Sequence, residues 1–169
     1  MNKNYKIDLH IHTNVNPHAF STLEENIRAA SRKGMKVIAI TNHGPALPDS
    51  PHWWHLANIA ILPEVIEGVR VLKGVEANIL DENAKLDINQ NVYPIFPVDY
   101  EKIVKAAKEN SVALEINNTS LGTLTRVGSR KNCKQMLELA KKEGCYIVLG
   151  SDSHYSDHIG EFTNAIKLI

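Results

Sequence analysis

"KIDLHIHTNVNPHAFST", residues 6–22, holds three of the chain's eight histidines within nine positions. Ile7, Leu9 and Ile11 alternate with Asp8, His10 and His12. That period of two predicts an extended strand with one aliphatic face and one face carrying a carboxylate and two imidazoles. Taken alone, the pattern reads more readily as a half-buried strand with a wet polar side than as a metal site. The rest of the chain decides between them.

Downstream, "STLEENIRAASRKG" reads as a helix: Thr22 and Glu25 form a capping box, Leu23, Ile27 and Ala30 recur at helical spacing, and Gly34 closes it. "MKVIAIT" (35–41) is a short apolar run, as in a strand buried on both faces. "HWWHLANIAILPEVIEG" (52–68) reads as helical before and after Pro63, and "VRVLKGVEANI" (69–79) as a strand. "VDYEKIVKAAKENS" is an amphipathic helix, "VALEIN" (112–117) a strand, "RKNCKQMLELAKKEG" a helix with a closing glycine and "YIVLGS" a strand; "GEFTNAIKLI" reads as a last helix. Alternating strands and helices predict an α/β fold whose parallel sheet is either barrel or doubly wound.

In such folds chemistry gathers beyond the carboxyl ends of the strands. His10 and His12 close the first strand, His43 follows the second in "AITNHG", and Glu76 lies late in the third. Asp152 and His154 follow the last in "VLGSDSH", and His18 sits in the first strand–helix loop. Residues scattered along the chain thus share one rim, which argues for metal. Imidazole nitrogens and carboxylate oxygens are ligands of zinc and similar ions. A carboxylate such as Glu76 can bridge two ions about 3.5–4 Å apart, an arrangement suited to hydrolysis by a metal-bound hydroxide. Neither GxSxG nor a P-loop is present.

Taken singly, the same residues have plainer readings. Glu76 alone reads as a salt-bridge partner, Asp152 and His154 as turn caps, Glu115 as a structural polar residue, and His52, His55 and His158 as surface or packing residues. Asp8 is placed to orient a ligand from behind. Lys73, Arg126 and Arg130 sit near the expected rim, where solvated surface charge explains each of them better than phosphate binding does.

The 169 residues predict one domain, 1–169, with a real core. Nineteen basic residues balance nineteen acidic ones, which gives no global field for nucleic acid or an acidic membrane. No apolar stretch approaches a membrane span, and no signal-peptide core precedes the first strand. Cys133 and Cys145 form no CxxC, so they are expected to be reduced in a cytoplasmic location. The sequons at Asn117 and Asn118 then carry no glycan.

"DLHIHT", "PHAFST", "ITNHG", "KGVEANI", "LEINNTS" and "LGSDSH", in this order, resemble the PHP (polymerase and histidinol phosphatase) family, and within it the YcdX-like branch of small phosphoesterases. The resemblance implies a distorted (β/α)7 barrel with zinc or manganese at its C-terminal rim. It implies that His10, His12, Glu76 and Asp152 hold one ion and His18, His43 and His154 another, with Glu76, Asp152 and His154 also serving catalysis. The family's third site needs two further histidines from strands beyond "VEANI". Here that region is only "LDENAKLDINQNVYPIFP", without histidine. The chain therefore reads as a family member shortened between about 80 and 98 and at its tail. Two ions are expected rather than three, in an incomplete barrel, with homo-oligomer formation or a cap from "NQNVYPIFP" covering the unpaired edges. Asn42 stands where the family usually has Asp, which predicts a weaker charge behind the ligand but leaves the ligand itself.

The implied activity is metal-dependent hydrolysis of a small phosphate monoester. The alternatives are a catalytically weak or inactive metal-binding remnant and a metal-dependent hydrolase of another bond, since fold alone does not fix the substrate.

Overall fold

The structure, a computed structural model, describes residues 5–44, 47–48, 50–77, 99–122 and 128–169. The region expected to be shortened, the capping role of "NQNVYPIFP" and the placement of Arg126 lie outside the described residues. By packing, described residues up to 77 together with Ser153–Gly160 form one compact unit; 99–152 together with Glu161–Ile169 form a second.

In the first unit β1 (Ile7–Ile11), α1 (Leu23–Arg32), β2 (Val37–Ile40), α2 (Trp53–Asn58), β3 (Val65–Ile66) and β4 (Val69–Lys73) follow in order. The sheet order is β1-β2-β4-β3. β2 pairs parallel with β1 and β4, with Ile38 opposite both Asp8 and Val71. β1 departs from strict alternation, because its register against β2 shifts between Asp8 and Ile11. Such bulges re-aim side chains near sites. Both faces are covered over much of the strand: Ile11 of the aliphatic face is buried and Ile7 exposed, while Asp8, His10 and His12 on the polar face are all buried.

β3 corrects two expectations. The chain after Pro63 is not helical, and β3 runs antiparallel to β4 in an otherwise parallel sheet. Glu67 and Gly68 both adopt positive φ, 51° and 74°, in the two-residue turn between these strands. Primed turns of this kind match the twist of hairpin strands and favour glycine. A two-residue edge strand also offers little to a foreign strand.

α1 forms because Thr22 Oγ1 accepts from Glu25 N while Glu25 Oε2 accepts from Thr22 N at 2.7 Å. Its buried face, Ile27, Ala29 and Ala30, packs with Ile11, Ile38, Ile40, Val69, Val71 and Ile159. Burying one such isoleucine contributes about 1.5–3 kcal/mol.

The second unit contains α3 (Tyr100–Glu109), β5 (Leu114–Asn117), α4 (Asn118–Gly122), α5 (Ser129–Glu143), β6 (Ile147–Gly150) and α6 (Thr163–Ile166). β5 and β6 pair in parallel, Ile116 against Leu149. Asp99 caps α3 by accepting from Lys102 N, and Gly144, at φ 67°, ends α5 as expected. The last helix is only one turn long. Glu115 is half-buried on β5. Asn118 of the sequon is buried, and its Oδ1 accepts from Asn164 N and Ala165 N. The described strands form these two sheets and no closed barrel.

Candidate metal centre

The rim of the first unit is assembled by three strand ends. β1 delivers His10 and His12, the turn after β2 delivers His43, and the segment after β4 delivers Glu76. A parallel bridge pairs His43 with Glu76, and Gly44 N donates to Glu76 O at 2.7 Å. A second bridge pairs Ile11 with Ser153, and His12 N donates to Ser153 O, which seats His154 beside β1. The loop after β1 adds His18.

These residues converge atom on atom. Glu76 Oε2 lies 2.9 Å from His43 Nδ1, 3.2 Å from His12 Nε2 and 3.3 Å from His10 Nε2. His10 Nε2 and His12 Nε2 are 3.1 Å apart. His18 Nε2 is 3.4 Å from His43 Nε2 and 2.7 Å from His154 Nε2. The ring of His154 stacks on His12 at a centroid separation of 4.3 Å. His10, His12 and Glu76 form one group able to hold an ion, and His12, His43 and His154 another.

Whether this set fits a divalent cation can be asked of its own atoms. Despite their closeness, His43 Nδ1 and Glu76 Oε2 are buried with no hydrogen bond aimed between them. Such orphaned atoms cost about 1–3 kcal/mol each unless something reconciles them. Burial pushes the Glu76 carboxyl up, but the imidazoles of His10, His12 and His43 outweigh it and hold it well below the usual carboxylate range. An ionised carboxylate ringed by imidazoles is a donor set for zinc or a similar ion. The fit is good. A neutral imidazole has one free lone pair, so His12 serves one group only. The second group then needs His18, which stands within reach of His43 and His154.

Asp152 is described within the second unit. It is buried after β6 at φ 57°, and Asn117 Nδ2 donates to its Oδ2 at 3.2 Å. Asp8, expected behind a ligand ring, accepts from two backbone N–H groups, His10 N at 3.3 Å and Gly160 N at 2.8 Å. Asn42 likewise turns to Thr13, accepting from Thr13 N at 2.8 Å and donating to its Oγ1 at 3.0 Å, so it ties β2 to β1. Lys73 Nζ donates to Pro63 O, and Arg130 is exposed on α5. His52 caps α2 through Trp54 N, His158 meets the Tyr155 ring edge-on, and His55 approaches Asn42. The sequence reading missed Asn16 and Asn26. Both are fully buried; Asn26 Nδ2 donates to His12 O at 2.8 Å, and Asn16 Oδ1 lies 3.3 Å from His12 Nδ1. An asparagine before proline reads as a turn residue, and nothing in its type announces a partner.

Comparison with known proteins defines the class: the PHP domain model matches residues 8–167, and the chain belongs to that family. A protein of Acetivibrio thermocellus named "Probable phosphatase" is 38% identical, over 98% of this chain and 86% of its own length. A "Probable phosphatase" of Shewanella loihica is 35% identical, over 98% and 84%. Among solved structures, histidinol phosphate phosphatase of Lactococcus lactis, complexed with zinc, L-histidinol and phosphate, superposes with a TM-score of 0.60 at 14% identity, over 97% of this chain and 92% of that one. That likeness concerns the fold.

Proposed function

We propose that the protein is a metal-dependent phosphoesterase acting on a small phosphate monoester. The observation that carries this reading is the convergence of His10, His12, His43 and His154 with the Glu76 carboxylate on one rim. The names of the relatives support phosphate ester hydrolysis. His10, His12 and Glu76 would hold one ion, and His18, His43 and His154 a second, either zinc or manganese. Bound divalent ions supply Lewis acidity toward phosphoryl oxygens and a water nucleophilic at neutral pH. The residues contribute the rest. Ionised Glu76 sets the negative charge that retains cations, and buried His10 and His12 keep bulk water from the ligand face. A hollow of about 740 Å³, lined in part by Thr13, Asn42, Trp53, Trp54 and His55, adjoins the residues flanking His12 and His43 and offers space for the alcohol portion of an ester.

The alignment to the Acetivibrio thermocellus relative runs over 209 positions, against 169 residues here. That length supports a shortened chain with two ions rather than three. It also favours one second reading, a metal-binding protein that turns over weakly or not at all. Hydrolysis of an aryl phosphate with added Mn2+ or Zn2+, alongside metal analysis, separates the two. The phosphoesterase reading expects about two ions per chain and turnover reduced at least about 100-fold by His12→Ala, more than loss of an outer partner costs. Two bound ions without turnover of any phosphate ester would leave the second reading standing.

A further inference from the structure

We propose that Asn16 is the positioning residue that presets His12 and His43 for a divalent cation, an inference that rests on the metal-centre reading but not on phosphoryl chemistry. Asn16 is 0% exposed in the loop between β1 and α1. Its own backbone is pinned: Asn16 N donates to Thr13 O at 3.0 Å, and Asn16 O accepts from Ala19 N at 2.9 Å. From that fixed point Oδ1 reaches two residues that follow different strands, lying 3.2 Å from His43 N, beyond β2, and 3.3 Å from His12 Nδ1, just past β1.

The chemistry of the two contacts determines a proton. A backbone N–H only donates, so the atom facing His43 N is the amide oxygen and not the amide nitrogen. The same oxygen faces His12 Nδ1, which must therefore carry the hydrogen. The free lone pair of His12 is left on Nε2, the nitrogen that stands 3.1 Å from His10 Nε2 and 3.2 Å from Glu76 Oε2. A ligand histidine is oriented by what its other nitrogen donates to, and such partners are worth about 10–100-fold in metal affinity. The second contact holds the main chain at His43, whose Nδ1 meets Glu76 Oε2. One side-chain oxygen thus sets the tautomer of one ligand and the backbone of another. Asn26 grips His12 from α1 through its carbonyl, which steadies the strand without selecting a ring nitrogen.

The test compares Asn16→Leu, which removes the acceptor at similar size, with Asn16→Asp, which keeps an oxygen for both donors. In chelator-treated, 15N-labelled full-length protein, NMR correlations within the imidazoles report the His12 tautomer. Competition with a chromophoric chelator reports Zn2+ affinity. Asn16→Leu is expected to mix the His12 tautomers and weaken zinc about 10–100-fold, while Asn16→Asp keeps the Nε2 lone pair and stays within about threefold of the parent. A leucine variant that keeps tautomer and affinity while losing only thermal stability overturns the proposal, and so does an aspartate variant that loses the tautomer. If Asn16→Leu fails to fold, Asn16→Ser, too short to span both donors, takes its place with the same expectations. Both readouts ignore turnover. A protein that behaves as expected here yet hydrolyses no phosphate ester refutes the phosphoesterase reading alone.

Discussion

The two units bury different interiors. The second buries Val104, Ile116, Leu149 and Phe162, and its buried Asn118 is repaid by two backbone N–H groups of α6. The first packs an aliphatic layer equally well, but its rim end buries Asp8, His10, His12, Asn16, Asn26, Asn42 and His43. Asp8 and Asn42 are repaid by protein donors. Glu76 Oε2 and His43 Nδ1 are not. Among the described residues the orphaned buried side-chain atoms all belong to the first unit, and two of the three, Glu76 Oε2 and His43 Nδ1, are atoms that a cation would satisfy.

The largest effects should come from the aliphatic layers, where the units are expected to behave alike. Ile38 and Ile116 are both fully buried, and replacing either with alanine is expected to cost about 2–5 kcal/mol in urea unfolding. They should differ in consequence. Ile38 lies on β2, which leads into His43, so Ile38→Ala should also weaken zinc, whereas Ile116→Ala should not. Equal loss of zinc affinity from both would erase the contrast.

Metal itself should give the next effect. Zinc at about 100 times its dissociation constant adds about 2.7 kcal/mol to the state that binds it. Hydrogen exchange should show added protection in β1, β2 and the loop holding His18, and little change in α3 and α5. Protection rising evenly across both units would erase the contrast by showing that they open as one, and none at all would mean that the buried polar rim is satisfied without a cation.

The same contrast explains what was legible in the sequence. Ile27, Ala29 and Ala30 of α1, the buried run of β2 and the closing glycine of α5 follow from periodicity and end signals that act locally. The histidines were legible because ligand types recurred after successive strands. The β3 turn was hidden, since Val65 and Ile66 continue an apolar stretch and only Glu67-Gly68 marks the reversal. The burial of the polar face of β1 was hidden too: alternation tells which residues share a face, and the neighbours decide which face is covered. Asn16 and Asn42 act through partners far along the chain, such as His43 for the one and Thr13 for the other, and no local pattern records such pairings.

The smallest effect sharpens the comparison from the other side, because helix caps owe nothing to the rim. Thr22 caps α1 in the first unit and Asp99 caps α3 in the second, each accepting one backbone N–H. Thr22→Ala and Asp99→Ala should each cost about 1 kcal/mol at neutral pH, with or without zinc. Acid should then affect the first cap. The Glu25 carboxyl is held below its ordinary value of 4.5 by hydrogen bonds from the Thr22 backbone and hydroxyl. A carboxyl lowered in the folded state contributes stability above its unfolded value, and loses it as pH falls through the folded one. Repeating the urea titration of the Thr22→Ala variant at pH 7 and at about pH 3 should therefore show its penalty shrinking in acid. A penalty unchanged between the two would show that the Thr22 hydroxyl caps α1 without help from the Glu25 carboxylate.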